Sequence, residues 1–229
     1  MSKEVHDMFA AIASDYDRAN SVLSLGVHRY WRWRTVRECG TQFGDHVLDC
    51  ATGTGDLAIA FKKVAGVGGR VVGTDFCKEM LDFAPVKAEE ERLDIEWEVQ
   101  DAMNLPYPDS SFDIASIAFG IRNVDDPSKG IASMTRVVKP GGRVAFLEFG
   151  TPKPYMKPFF ALYSKVVIPR LGGLVTGNQD AYEYLTRTSA AFPTGEAFVQ
   201  LMNQAAAFSS IRTIPLTGGI AYLYIGVKS

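Results

Sequence analysis

A mostly parallel α/β sheet, wound on both faces by helices and closed by an antiparallel final strand, is the fold this sequence predicts. Three observations carry it. Short apolar runs alternate with helical stretches in a βαβ rhythm. Those runs are near-continuously apolar, as strands covered on both faces are. The chain also closes with two β-rich runs separated by Gly218 and Gly219, the pattern of a hairpin. The 229 residues, 47% hydrophobic and 22% charged, suit one domain around a sizeable core. We find no internal repeat or low-complexity tract.

In chain order, FAAIASDYDRAN places Phe9, Ile12, Ala13 and Tyr16 at helical spacing. The resulting apolar face either folds over a ligand as a lid or simply packs, and periodicity does not separate the two. HRYWRWRTVR interleaves aromatics with Arg29, Arg32, Arg34 and Arg37. Such a helix serves RNA phosphates and bases, an anionic membrane surface, or merely a solvated face. HVLDCA (46–51) is the first strand, and it enters ATGTGDLAIAF, where Gly53 and Gly55 permit a tight turn before a helix. GRVVGTDF (69–76) is the second strand. In the following CKEMLDFAPVKAEEER, Pro85 lacks an N–H and should kink or restart the helix. DIEWEVQD (94–101) and FDIASIAF (112–119) are the third and fourth strands, the latter running out into Arg122 and Asn123. GRVAFLEF (142–149) follows a KPGG turn as the fifth, and SSIRTIPLT with GIAYLYIGVK forms the terminal pair. In this architecture a ligand sits at the carboxyl ends of the strands.

A formal net charge of −2 denies the chain the basic footprint of a general nucleic-acid binder, so no nucleic-acid partner is expected. A local patch stays open. Cys39, Cys50 and Cys77 are odd in number and lack a CxxC, which argues for reduced thiols and against both a disulfide framework and a zinc site, and no metal is expected. MSKEVHD lacks an apolar leader core, and no apolar run approaches the roughly 20 residues of a membrane span, so the expectation is cytoplasmic.

Three carboxylates converge on the ligand end of the predicted sheet. Asp49 precedes the glycine turn, Asp75 ends the second strand, and Asp101 ends the third. Each alone reads equally as a helix cap or turn residue. Together they suit a pyrophosphate poorly and a cationic nucleotide well, and S-adenosylmethionine carries both a sulfonium and an ammonium. Asp75 suits the two ribose hydroxyls, because an ionised carboxylate only accepts. Ala58, where a dinucleotide reader prefers a third glycine, weighs against NAD.

In VLDCATGTGD, GTDF, EML, DAMNLPYPDSSFD, FGIRNV, RVVKPGGR and LEF together, the chain resembles the class I S-adenosylmethionine-dependent methyltransferases. FGIRNV and FAAIASDYDRANSVLSLGVHRYW resemble more narrowly the ubiquinone/menaquinone biosynthesis C-methyltransferases, the UbiE/MenG family. The resemblance implies a Rossmann-like seven-stranded sheet in a single domain, 1–229. Its parts would be a helical lid (1–40), a cofactor core (41–151), a helical substrate or lipid segment (152–208) and a terminal hairpin (209–229). It implies cofactor contacts at Asp49, Gly53, Thr54, Gly55, Asp75, Phe76, Asp101, Ala102 and position 118. The last is Ala118 here where many members carry Ser, which leaves only a backbone contact. Thr52 stands where relatives often carry Gly and is tolerable at negative φ. Tyr16 and Asn20 are implied to face the site.

The implied reaction is methylation of a ring carbon of a polyprenylated quinol, demethylmenaquinol or a benzoquinol. Such a carbon becomes nucleophilic when an adjacent phenol, of pKa about 10, ionises. Arg122, a permanent cation, suits that phenolate, and Asn123 suits the second ring oxygen. Glu148 is the candidate proton acceptor, with an alternative role as the structural partner of Arg122. Residues 152–175, apolar, aromatic and edged with lysines, suit a prenyl tail and transient contact with the inner face of a membrane. A homodimer is left open. Rival readings are a methyltransferase for RNA or another small phenol or metabolite, and a cofactor-binding regulator without turnover.

Overall fold

Seven strands form where the β-forming runs lie, the edge strands among them more polar and exposed than the both-faces-covered pattern predicts. In the computed structural model, which describes residues 3–163, 184 and 187–229, β1 (Val47–Cys50), β2 (Val71–Asp75), β3 (Glu96–Val99), β4 (Phe112–Ala118), β5 (Val138–Phe149), β6 (Phe208–Leu216) and β7 (Ala221–Lys228) make one sheet. Its order is β3-β2-β1-β4-β5-β7-β6. β1 to β5 pair in parallel, and β7 enters antiparallel between β5 and β6. The direction of winding reverses between β1 and β4, the switch point where such sheets bind ligands.

Period-2 alternation sorts the strand side chains into two cores. Val47, Val71, Ile114 and Leu147 pack with Trp31, Leu57 and Phe61 on one face, and Leu48, Val72, Ile117 and Phe146 pack with Ile131, Met134 and Phe198 on the other. The first face is covered by α3 (Val27–Glu38), α4 (Asp56–Ala65) and α6 (Ala84–Glu90). The second is covered by α7 (Pro127–Val137) and α9 (Glu196–Ala205). α1 (Lys3–Ile12) and α2 (Tyr16–Leu23) are joined by a 3-10 turn and lie over the strand ends. α5 (Lys78–Leu81) follows β2, and α8 (Lys157–Leu162) follows β5.

Pro85 sits in the first turn of α6, so the helix restarts there as its chemistry requires. Two local expectations change. The KPGG segment does not precede the fifth strand but lies within it. Gly141 takes φ +76°, and the register with β4 shifts between Phe112 and Ile114, so the strand absorbs the extra residues as a bulge. The glycine turn is also tighter than two glycines suggest, because Ala51 joins Gly53 and Gly55 at positive φ while Thr52 does not. The predicted segment 152–208 is seen through α8 and α9, and its residues 164–183 and 185–186 lie outside the described residues.

Candidate active site

A cavity opens at the carboxyl ends of β1, β2 and β4. Gly53, Asp75 and Phe76 line it from the first two strands, Asp101 and Ala102 from beyond β3, and Ala118, Phe119 and Asn123 from the end of β4. Phe9 and Tyr16 lean in from the N-terminal helices. Two non-glycine residues flanking it, Ala51 at φ +47° and Phe119 at φ +56°, are held in the left-handed region, conformations retained only where surroundings enforce them. Gly120 packs against this turn so closely that any Cβ there would stand 2.5 Å from that of Ala51.

Negative charge is concentrated beneath the glycine turn. Asp49, 1% exposed, accepts from Ser116 Oγ and Thr52 Oγ1, each at 2.6 Å. Burial pushes its pKa up to about 6 against the pull of those hydroxyls. Asp75 accepts from the backbone N–H of Gly53 and of Cys77, both at 2.8 Å, and burial raises its pKa too. Asp101 accepts from Met103 N at 2.9 Å. Buried carboxylates raised in this way are stabilised by a cation brought to them.

The turn is tied to the N-terminal helices by charge. Thr54 Oγ1 donates to Asp17 of α2 at 2.6 Å. Lys87 of α6 donates to Asp17 at 2.7 Å, to Thr54 Oγ1 at 3.2 Å and to Asp56. Arg32 of α3 reaches the other oxygen of Asp56. His6 Nε2 meets Glu79 Oε2 at 3.3 Å, joining α1 to α5, and Phe9, Ala10, Ala13 and Tyr16 pack on Cys77 and Met80. Phe9, Ala13 and Tyr16 thus share the apolar face expected of them.

Past β4, a 3-10 turn over Ile121–Asn123 sends two neighbours in different directions. Asn123 faces the cavity. Arg122 turns inward, 5% exposed, against Glu148, 2% exposed. Its Nη1 donates to Glu148 Oε1 at 2.7 Å and to the Phe119 carbonyl at 2.6 Å, and its guanidinium lies 5.4 Å from the Phe149 ring centre. Glu148 Oε1 also accepts from Phe149 N at 2.8 Å. Burial raises the Glu148 pKa, with Arg122 pulling the other way. Arg122 Nε and Glu148 Oε2 are buried without a hydrogen-bond partner among the described residues.

Of the residues expected at the site, Tyr16, Gly53, Asp75, Phe76, Asp101, Ala102, Ala118 and Asn123 converge on this cavity. Asp49, Thr54, Gly55, Arg122 and Glu148 stand behind its wall, and Asn20 is not among its lining residues. Gln100, Met80, Phe119 and Val124 line it without having been singled out. Lys87 and Asp17, which close the charged network, carried no sequence signal, since their pairing spans 70 residues.

The chain matches the model of the ubiE/COQ5 methyltransferase family over residues 1–228. A ubiquinone/menaquinone biosynthesis C-methyltransferase UbiE from Bdellovibrio bacteriovorus is 52% identical to it over 223 residues, 97% of this chain and 94% of that protein. A demethylmenaquinone methyltransferase from Deinococcus radiodurans is 47% identical over 225 residues, 98% of this chain and 92% of that one. Among solved structures, a SAM-dependent methyltransferase from Thermotoga maritima, described as a possible histamine N-methyltransferase, shares the fold. Its TM-score is 0.65 at 19% identity, covering 97% of this chain and 99% of that one.

Proposed function

The chain belongs to the ubiE/COQ5 methyltransferase family, and from that premise we propose that it methylates a ring carbon of a lipid quinol in quinone biosynthesis, using S-adenosylmethionine. The observation that carries this reading is the family match across the whole chain, reinforced by relatives at 52% and 47% identity named for that chemistry. Demethylmenaquinol is the substrate we assign, with the benzoquinol of ubiquinone synthesis as its competitor.

The residues fit the cofactor. Asp49 and Asp75 are buried carboxylates whose ionisation is opposed by burial, and a sulfonium and an ammonium offset that cost. When bound, S-adenosylmethionine supplies an electrophilic methyl group. Asp75, at the end of β2, would accept from the ribose hydroxyls, and Phe76, Asp101 and Ala102, which line the same cavity, would hold the adenosine. Tyr16 and Phe9, which line the cavity from the N-terminal helices, would shield bound cofactor and quinol from water. Asn123 Nδ2 donates to a quinol oxygen.

Arg122 acts electrostatically. A guanidinium of pKa above roughly 12 yields almost no neutral base near pH 7, yet its charge beside Asn123 favours ionisation of the quinol. Glu148 holds that guanidinium in place, and the 2.7 Å contact supports this positioning role over direct proton abstraction. The decisive assay offers labelled S-adenosylmethionine with demethylmenaquinol, a benzoquinol, small phenols and RNA. Label is expected in the quinols, and label in RNA alone overturns the reading.

We also propose transient contact with an anionic membrane, from the cytoplasmic side. Two exposed surfaces support it. On α3, Tyr30 and Trp33 stand exposed beside Arg29 and Arg37, whereas Arg32 and Arg34 are occupied by Asp56 and Glu38. Around α8, Tyr155, Phe159 and Leu162 are each more than 60% exposed and flanked by Lys153 and Lys157. Among the described residues no helix is long and apolar enough to cross a membrane. Co-sedimentation with anionic vesicles is the expected result, and its absence with both anionic and neutral lipid refutes the contact. Sedimentation velocity on the same sample reads whether the unit is a homodimer.

A further inference from the structure

Asn123 lines the cavity with an amide that offers an acceptor at one end and donors at the other. Which end meets the substrate is set by what holds the opposite end. A quinol oxygen acquiring negative charge needs the Nδ2 donors, and an Oδ1 in their place would repel it.

Tyr184 makes that selection. Its hydroxyl donates to Asn123 Oδ1 at 3.1 Å. The sense of the bond is fixed by chemistry, because an amide oxygen only accepts and the phenol must therefore donate. Arg122 and Arg187 both act on the phenol oxygen, and the Arg187 guanidinium lies 5.9 Å from the centre of the Tyr184 ring. Asp125 is the acidic group acting on the same phenol. Burial raises the Tyr184 pKa, so the hydroxyl stays protonated and remains a donor at working pH. The backbone of Asn123 is itself fixed, its N–H donating to the Gly120 carbonyl at 3.0 Å.

We infer that Tyr184 is a positioning residue for the methyl transfer, holding Asn123 Oδ1 so that Nδ2 points at the reacting quinol oxygen. This rests on the quinol reading above. It also accounts for how Arg122, turned away from the cavity, influences the substrate through an ordered neighbour as well as through its field.

The test is a double-mutant cycle of Tyr184→Phe and Asn123→Ala in the full-length enzyme, read as kcat, KM and the pH profile of kcat. Tyr184→Phe keeps the ring and should lower kcat by about 10- to 100-fold, the scale of one hydrogen bond to a charged oxygen. Calorimetric affinity for S-adenosylmethionine should stay within about twofold, which also reports an intact fold. The apparent pKa for substrate ionisation should rise, because the phenolate loses an oriented donor. In the Asn123→Ala background the same substitution should change kcat less than about twofold. Equal losses in both backgrounds, or an unmoved pH profile, overturn the role of Tyr184 while leaving the quinol reading intact. A wild-type enzyme that binds S-adenosylmethionine yet methylates no quinol overturns both.

Discussion

Replacing Arg122 with Met removes a charge from the interior while keeping most of the side-chain stem. Glu148, 2% exposed, then has no cation at its 2.7 Å position, and the Phe119 carbonyl loses a donor. Breaking a buried pair by deleting one partner costs about 3 to 5 kcal/mol. For a domain of this size that is a fall in Tm of roughly 6 to 20 °C. The cost should depend on pH with a defined sign. Burial already raises the Glu148 pKa above its ordinary 4.5, so its protonation favours the fold. That contribution is fully present below the unfolded pKa and is lost as pH rises through the folded one. Without Arg122 the folded pKa climbs further, so the deficit of the variant is largest above neutrality and shrinks as the pH approaches 5. Asp49 and Asp75 titrate in both proteins and cancel in the difference. Urea unfolding of Arg122→Met, Glu148→Gln and the double variant at pH 5, 6, 7 and 8 measures it. The double variant should recover most of the loss, because no buried charge is left unpaired. Additive single losses, or a deficit that ignores pH, refute the buried pair as the organising contact.

Lys87→Met frees Asp17 of α2 from the glycine turn. Because these groups are 27% to 43% exposed, the effect is screened to about 1 kcal/mol, roughly a fivefold loss of S-adenosylmethionine affinity by calorimetry that fades with added salt. An unchanged affinity uncouples the helices from the cofactor. Asp49 has its pKa raised by burial from 3.8 to about 6, so its contribution is present below 3.8 and lost as pH rises through 6. The unfolding free energy of Asp49→Asn relative to the parent should therefore climb by roughly 2 kcal/mol between pH 4 and 7, and a flat difference contradicts the burial argument. In Gly55→Ala, at φ +85°, the new Cβ would stand 2.7 Å from the Trp97 ring and 2.8 Å from the Ala84 Cβ. Strain and overlap together should cost about 2 to 4 kcal/mol in thermal unfolding, and a loss below about 1 kcal/mol would mean that the turn relaxes.

Much of the fold was legible because it is written in local chemistry. Apolar runs marked the inner strands, which are buried on both faces as expected, whereas the edge strands β3 and β6 are largely exposed and were marked by β-forming residues instead, and Pro85 marked the helix restart. The Gly218–Gly219 break marked the hairpin whose second strand slots between β5 and β6. What was not legible depends on contacts that no periodicity encodes. Gly120 is confined to glycine by the closeness of Ala51, 69 positions away, whose Cβ would stand 2.5 Å from any Cβ added there. The four arginines of HRYWRWRTVR look equivalent in sequence. The fold sorts them, sending Arg32 to Asp56 and Arg34 to Glu38 and leaving Arg29 and Arg37 at the surface.

The site shows the same division at higher stakes. Side chains that end a strand, such as Asp75, were readable because β-topology alone puts them at the ligand edge. Arg122 and Asn123 also leave a strand end, yet one step of chain along a 3-10 turn separates a buried cation from a cavity-lining amide. The separation has a physical consequence. A guanidinium in direct contact with solvent would be screened, whereas one held by Glu148 in a buried setting keeps its field while its charge is largely balanced. The net push on a substrate oxygen is then modest. On the proposed reading, the steep part of the stabilisation would come from a donor on the cavity wall, which would make the orientation of the Asn123 amide the quantity that the Tyr184→Phe cycle measures.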